Sequence, residues 1–260
     1  MPITIHCERD AVSGFWENFW KEKFDRASLE TYYKSFRKTP RVQKILIKYL
    51  PKDGKILDSG CGSGIWTHWL KEKGYNVEGI DISKNTISFI KKNLPDLPVR
   101  TGTVFALDYP DKSLKGYLSF GVIGYFLPDK ILNEAARVLD KEGVVILRVP
   151  YANPLRKFKS RLGFYSRKRD YSQYAFTSAE LASELKARGF KFIKSDFFDS
   201  LYGFYTEISG ATTVPLLSTK KTAGKLRGES LLRNFMKSIF EFLPIRFLFS
   251  HNLIVVAKKL

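Results

Sequence analysis

The sequence predicts an α/β fold: a doubly wound, mostly parallel seven-stranded sheet with helices on both faces. Three observations carry this expectation. Residues 55–74 read as a strand, a tight glycine turn and a helix. From there to residue 150, short apolar runs alternate with amphipathic stretches, the pattern of a parallel sheet whose crossovers are helices. Beyond residue 176 a further helix–strand pair follows, and residues 251–258 form a last apolar run.

Taken in order, residues 12–37 read as helix. Phe15, Trp16, Phe19, Trp20 and Phe24 share one stripe, which Tyr32, Tyr33 and Phe36 continue. Pro40 interrupts, and Val42, Ile45, Leu46 and Tyr49 mark a second helix. Pro51 to Gly54 turns into the first strand. That strand ends in Asp58-Ser59-Gly60-Cys61-Gly62-Ser63-Gly64, and Ile65, Trp66, Trp69 and Leu70 continue at helical spacing until Gly74 closes the helix. The second strand is Tyr75 to Ile82. Ser83 caps a helix bearing Ile87, Ile90 and Leu94. Val99 to Val104 and Leu114 to Val122 are the third and fourth strands. Pro128-Asp129 opens a helix, and Val144 to Val149 is the fifth strand. Thr177-Ser178-Ala179-Glu180 is a capping box whose helix runs to Gly189, and Phe190 to Phe198 is the sixth strand. Residues 209–230 read as a long mobile loop, and 231–243 as a strongly apolar helix.

The glycine turn carries the chemistry. Glycine lets the chain turn sharply and lets a ligand approach the backbone. The first amides of the following helix attract an anionic group. Asp81, at the end of the second strand, stands where nucleoside-binding α/β folds place a ribose-binding carboxylate. The dinucleotide fingerprint G-x-G-x-x-G fails, because Ile65 occupies its sixth position. Asp58, two residues before the first glycine, is awkward beside a pyrophosphate and suitable beside an ammonium or sulfonium ion. A glycine turn without a ligand is the alternative. The acids before and after the turn argue against it.

Asp58 to Gly64, followed by Gly79-Ile80-Asp81-Ile82-Ser83, resembles the class I S-adenosylmethionine-dependent methyltransferases, and the resemblance holds over residues 55–150. It implies S-adenosyl-L-methionine as cofactor and an antiparallel last strand. It implies cofactor contacts at Asp58, Gly60, Cys61, Gly62, Gly64, Asp81, Ile82, Thr103, Val104 and Phe120. It also implies one domain over 1–260. This comprises an N-terminal helical segment (1–54), a cofactor-binding half (55–150), an acceptor-side insertion (151–176) and a C-terminal half (177–260). Tyr125, Tyr171, Tyr174 and His251 are the candidates for the acceptor pocket. Two positions depart from the family. Thr103 replaces an acid that bonds adenine, which shifts that role to its hydroxyl or to the backbone of Val104. Lys115 replaces an acid at the start of the fourth strand.

Composition bounds the rest. The 260 residues are 44% hydrophobic and carry a net charge of +18. Residues 151–260 hold 20 basic and 8 acidic side chains, against 24 and 18 in residues 1–150. This asymmetry points to a polyanion or a membrane surface. Cys7 and Cys61 are too few for a disulfide framework, and no His, Cys or acid cluster has metal-ligand spacing. The first ten residues lack a signal-peptide core, and no run reaches the roughly 18 apolar residues of a spanning helix. A cytoplasmic protein is expected. Peripheral contact with an anionic membrane is a further expectation, from the basic residues flanking the apolar helix 231–243.

Three functions fit these features. One is methyl transfer to oxygen or carbon of a small-molecule or lipid-linked acceptor. The second is methylation of RNA such as tRNA, using the positive surface. The third is a non-enzymatic protein of the same fold. Phe120-Gly121-Val122-Ile123 stands where an Asp-Pro-Pro-Tyr type motif for nucleobase amines would be, which favours the first over the second. The intact turn with Asp58 and Asp81 favours both over the third.

Overall fold

The structure is a computed structural model, and it describes residues 3–6, 16–17, 33, 40–126, 128–163, 173–201, 239 and 245–260. Nine strands and six α-helices lie among them. The strands are β1 (Ile3–His6), β2 (Ile56–Ser59), β3 (Val77–Asp81), β4 (Val99–Thr101), β5 (Leu114–Phe120), β6 (Leu139–Pro150), β7 (Gln173–Ala175), β8 (Phe190–Phe198) and β9 (Asn252–Lys259). The helices are α1 (Pro40–Tyr49), α2 (Ile65–Glu72), α3 (Lys84–Asn93), α4 (Pro128–Val138), α5 (Pro154–Arg161) and α6 (Ser178–Lys186).

The main sheet has seven strands in the order β4-β3-β2-β5-β6-β9-β8. Pairings from β4 through β6 are parallel, and β9 runs antiparallel to both of its neighbours. The chain leaves β2 towards β3 and β4, then crosses back to add β5 on the other side of β2. The crevice at the carboxyl ends of β2 and β5 is therefore a switch point, where open α/β sheets bind ligands.

Helices cover both faces, as the apolar stripes require. On one face Val42, Ile45, Leu46, Ile65, Trp66 and Leu70 of α1 and α2 pack on Ile56, Leu118, Ile146 and Ile254. On the other, Ile131, Leu132, Ala135, Leu181 and Leu185 of α4 and α6 pack on Leu57, Tyr117, Val145, Leu147 and Val255. Alternate residues of β2, β5 and β6 feed opposite faces, so these central strands carry apolar side chains on both sides. The two caps foreseen in the sequence form. Ser83 Oγ accepts the Thr86 amide, and Thr177 and Glu180 make a reciprocal capping box.

Several boundaries differ from expectation. β4 ends at Thr101, which leaves Thr103 and Val104 in the loop that follows. β6 begins at Leu139 instead of Val144, passing through Glu142 at a positive φ of 67°. A two-stranded sheet, β1 against β7, has no counterpart in the sequence pattern. Its strands have three or four residues, too few for a period-two pattern to register. The expected segments 209–230 and 231–243 lie outside the described residues, save Ile239, and so does most of 12–37. Lys115 has a structural role: its ammonium pairs with Asp140 at 2.7 Å and its stem lies against Gly54.

The loop after β4 is pinned from α4. Arg137 donates to the carbonyls of Leu107 and Tyr109 and to the carboxylates of Glu134 and Asp111, while Glu134 accepts the Leu107 amide at 2.6 Å. This bridge sets the path of the chain that carries Thr103 and Val104. Arg137→Ala strands both carbonyls and should destabilise the protein by roughly 1–3 kcal/mol. Urea denaturation of the variant beside wild type measures it.

Candidate active site

The site grows from the turn between β2 and α2. Gly60, Gly62 and Gly64 all have positive φ, at 81°, 50° and 70°. At Gly60 the need is also spatial, because a Cβ there would lie 2.2 Å from Cγ2 of Val122. The loop after β5 thus closes directly onto the turn. The amides of Gly60 and Cys61 both donate to the carbonyl of Ile80. The Gly62 amide donates to Oδ2 of Asp81 at 2.9 Å, and the Ser83 amide to Oδ1 at 3.0 Å. One carboxylate therefore fastens the glycine turn to the start of α3. A carboxylate has about four acceptor sites, so two such bonds leave room for a diol.

Asp58 is 1% exposed. Its Oδ2 accepts from the Thr67 hydroxyl at 2.8 Å. Burial raises its pKa from 3.8 to about 6, against the lowering by Thr67, and Asp81 adds to the rise. Burial, opposed by the Ser83 and Gly62 amides and reinforced by Glu17, also raises Asp81. The turn thus holds two buried acids whose ionised forms gain from a nearby cation. Cys61 is buried, and its thiol is pushed well up by burial and by both acids. Cys61 therefore offers the turn a buried thiol and its backbone, not a thiolate.

The remaining candidates fall into two groups. Ile82, 43% exposed, holds an apolar side chain in the open beside Asp81. The Thr103 hydroxyl accepts the Phe105 amide at 3.3 Å, Val104 is buried, and Phe120 meets the Trp66 ring edge to face at 5.1 Å. Tyr125 ends a 3-10 turn after β5, and Tyr174 on β7 packs half-buried on the core beside that turn. His251 lies just before β9. Tyr171 is outside the described residues. The structure brings Tyr125, Tyr174 and His251 to the carboxyl edge, the side of the sheet that carries the glycine turn.

His251 is not arranged as a base. Arg156 Nη2 approaches its Nδ1 at 3.1 Å, and a guanidinium only donates, so Nδ1 accepts and the ring proton sits on Nε2. Burial and the charges of Arg156 and Arg148 hold its pKa well below 6.5. Its surroundings make it a neutral partner of Arg156 at the carboxyl edge.

Several site residues were not singled out in the sequence. Thr67 is the polar member of an otherwise apolar buried face of α2, and that oddity was the available signal. Gly79 leaves it space, since a Cβ there would come within 2.6 Å of the Thr67 hydroxyl. Glu17 accepts from the Ser83 hydroxyl and from the Lys84 and Asn85 amides, capping α3 beside Asp81. Trp16 meets the Tyr125 ring at 5.0 Å, and Tyr33 donates to the Ser63 carbonyl and stacks on His68. The aromatic stripe of 12–37 signalled packing but not these partners, which are distant in sequence.

These residues fit S-adenosylmethionine. The turn carries glycine at three left-handed positions, Asp81 keeps acceptor capacity for hydroxyls, and Asp58 supplies buried negative charge for a cation. Ser119, at the end of β5, has a buried hydroxyl with no partner among the described residues, a costly state unless a ligand or water meets it. Residues 57–147 match the family model described as a methyltransferase domain. That match and the shared fold support a class I S-adenosylmethionine-dependent methyltransferase. It is 30% identical over 113 residues to the ubiquinone/menaquinone biosynthesis C-methyltransferase UbiE of Campylobacter jejuni, covering 40% of this chain and 48% of that protein. The chain thus spans about half the length of the curated relatives it matches first. Two solved structures share the fold. A methyltransferase of Methanosarcina mazei has a TM-score of 0.56 at 19% identity, over 83% of this chain and 97% of that one. The geranyl diphosphate C-methyltransferase of Streptomyces coelicolor has a TM-score of 0.59 at 12% identity, over 97% of this chain and 100% of that one. Among the described residues, no group of three His, Cys, Asp or Glu side chains could hold a metal ion. No described helix is long and apolar enough to cross a membrane.

The raised pKa of Asp58 has a signed consequence. A carboxyl whose folded pKa exceeds its unfolded value binds protons more tightly when folded. Its contribution to stability is present below about 3.8 and is lost as pH rises to about 6. Asp58→Asn removes this term. The difference in melting temperature between the ligand-free variant and wild type should therefore change between pH 4 and pH 7 in the variant's favour. A pH series of thermal melts on both proteins reads it.

Proposed function

We propose that this protein transfers the methyl group of S-adenosylmethionine to oxygen or carbon of a small apolar or lipid-linked acceptor. The observation that carries the cofactor half of this reading is the Gly62 amide bonded to Asp81 beside the buried Asp58. When bound, the cofactor supplies an electrophilic methyl group. The chain's task is then to hold the acceptor in line with it and to exclude water.

The acceptor half rests on the carboxyl edge. Aromatic pairs lie along it: Trp16 with Tyr125 and Tyr151 with Phe197 at 4.6 Å, while Tyr174 packs on the core. Burial keeps the Tyr151 hydroxyl protonated by raising its pKa. An edge that carries aromatic rings and a neutral histidine suits an apolar acceptor better than a charged one. The similarity to a quinone C-methyltransferase supports the same class. Residues 171 and 174 from the insertion, with Tyr125, are assigned to orient the acceptor, and Asp81 with Ile82 to hold the ribose and the base. A positive surface also suits RNA, which makes tRNA the natural control.

Asp81→Ala should weaken cofactor affinity by at least roughly tenfold, since charge-assisted bonds contribute about 1.5–3 kcal/mol each. Titration calorimetry measures it, with circular dichroism as the check on folding. For the reaction, purified protein is incubated with methyl-labelled S-adenosylmethionine and either total lipid extract or mixed tRNA. Label should enter the organic phase. Label entering only tRNA would replace the acceptor reading. Failure of wild type to bind the cofactor would remove the methyltransferase reading itself.

A further inference from the structure

Helix α5 presents apolar side chains to water. Phe158 is 59% exposed and Leu162, the C-cap residue, is 57% exposed. They are four residues apart and so lie on one face, one above the other. Lys157 and Arg161 form the adjacent row at the same spacing. Between Tyr151 and Arg169 the sequence has seven basic residues and no acidic one.

The far side of this helix is firmly held, so the exposed face has a fixed direction. Arg156, 2% exposed, donates to the Tyr151 carbonyl and approaches His251 Nδ1. Asn153 caps the helix by accepting the Arg156 amide, and its own amide donates to the Ser250 carbonyl at 3.1 Å. That last bond tethers the 3-10 turn before Ser250, whose neighbours Ile245 and Phe247 are 47% and 41% exposed. Two linked elements at the carboxyl edge of the sheet, the acceptor side, thus carry exposed apolar tips, those of α5 beside Lys157 and Arg161.

We propose that α5 and the turn at 245–248 dock the acceptor edge onto an anionic lipid bilayer. Phe158, Leu162, Ile245 and Phe247 enter the boundary between head groups and acyl chains, and Lys157 and Arg161 meet lipid phosphates. Other occupants fit less well. A nucleic acid would meet the cations and one ring but leave Leu162 and Ile245 in water. A second copy meeting this face about a two-fold axis would set like charges against each other. For its purpose, a short path from bilayer to site, the proposal rests on the apolar-acceptor reading above, but its test reads lipid binding alone.

The test is sedimentation of the full chain with vesicles of phosphatidylglycerol and phosphatidylcholine in equal parts, and with phosphatidylcholine alone. Wild type should pellet with the anionic vesicles at low salt, largely release at high salt, and pellet little with neutral ones. Two double variants separate the contributions: Phe158→Ser with Leu162→Ser, and Lys157→Glu with Arg161→Glu. Each should lower anionic-vesicle affinity by roughly tenfold or more, with wild-type cofactor affinity and melting temperature. They alter different side chains, so loss of folding in one leaves the other decisive. No pelleting of wild type with anionic vesicles at low salt overturns the proposal. So does unchanged pelleting of both variants, which would move the contact elsewhere. A tRNA shift abolished by the charge reversal without any lipid binding overturns it in favour of RNA. A wild-type dimer in sedimentation velocity that the serine pair dissolves overturns it in favour of self-association. Vesicle binding without methyl transfer to lipid extract would leave this proposal standing and remove the acceptor reading.

Discussion

The hydrogen bond from the Gly62 amide to the Asp81 carboxylate is the constraint on which the site depends. It joins two strand-to-helix connections that are adjacent in space and 19 residues apart in sequence. The turn after β2 can take its left-handed path only with glycine at three alternate positions. Glycine costs conformational entropy on folding, so something must hold the path once it forms. Asp81 does so from one side, the Ile80 carbonyl from beneath, and Val122 from above. The carboxylate is buried for the same reason that it is useful: water excluded from it cannot compete for the partners it holds.

Asp58 shows the other side of that arrangement. It sits deeper, with the hydroxyl and amide of Thr67 as donors and a second acid nearby, so burial still raises its pKa. An uncompensated buried charge is a standing cost. Keeping the position acidic makes sense where a cationic ligand completes it. The turn is thus only partly satisfied by its own protein, in contrast to the Arg137–Glu134 bridge, where partners are complete and the consequence is structural order.

The cofactor half was largely legible in the sequence, and the acceptor half was not. Strand, glycine turn, helix and acid are local patterns with short spacings, so Gly60, Gly62, Gly64 and Asp81 could be assigned geometry before any coordinates. Ser83 and Thr177 were legible as caps for the same reason. Thr67, Glu17 and Arg156 were not, because each acts through a partner chosen by tertiary packing: Asp58, the start of α3, and His251. His251 itself illustrates the limit. A histidine at the start of a strand invites a chemical role, and only the guanidinium beside it, 95 residues earlier, fixes its proton on the other nitrogen. The short strand β1 was invisible because its partner β7 lies in a stretch without clean alternation.

The placement of β9 has a consequence for how the protein is made. This strand lies between β6 and β8 and is antiparallel to both. Until residues 252–259 leave the ribosome, β6 and β8 have no strand to join them, and the sheet ends at β6. The half built from β2 to β6 needs only short crossovers and can assemble while the remainder is still being synthesised. Closing the sheet then requires a pairing across more than 100 residues between β6 and β9, the kind of long-range contact that slows folding. The strands that carry the glycine turn thus need no residue of β9 to pair, whereas the edge that holds His251 does.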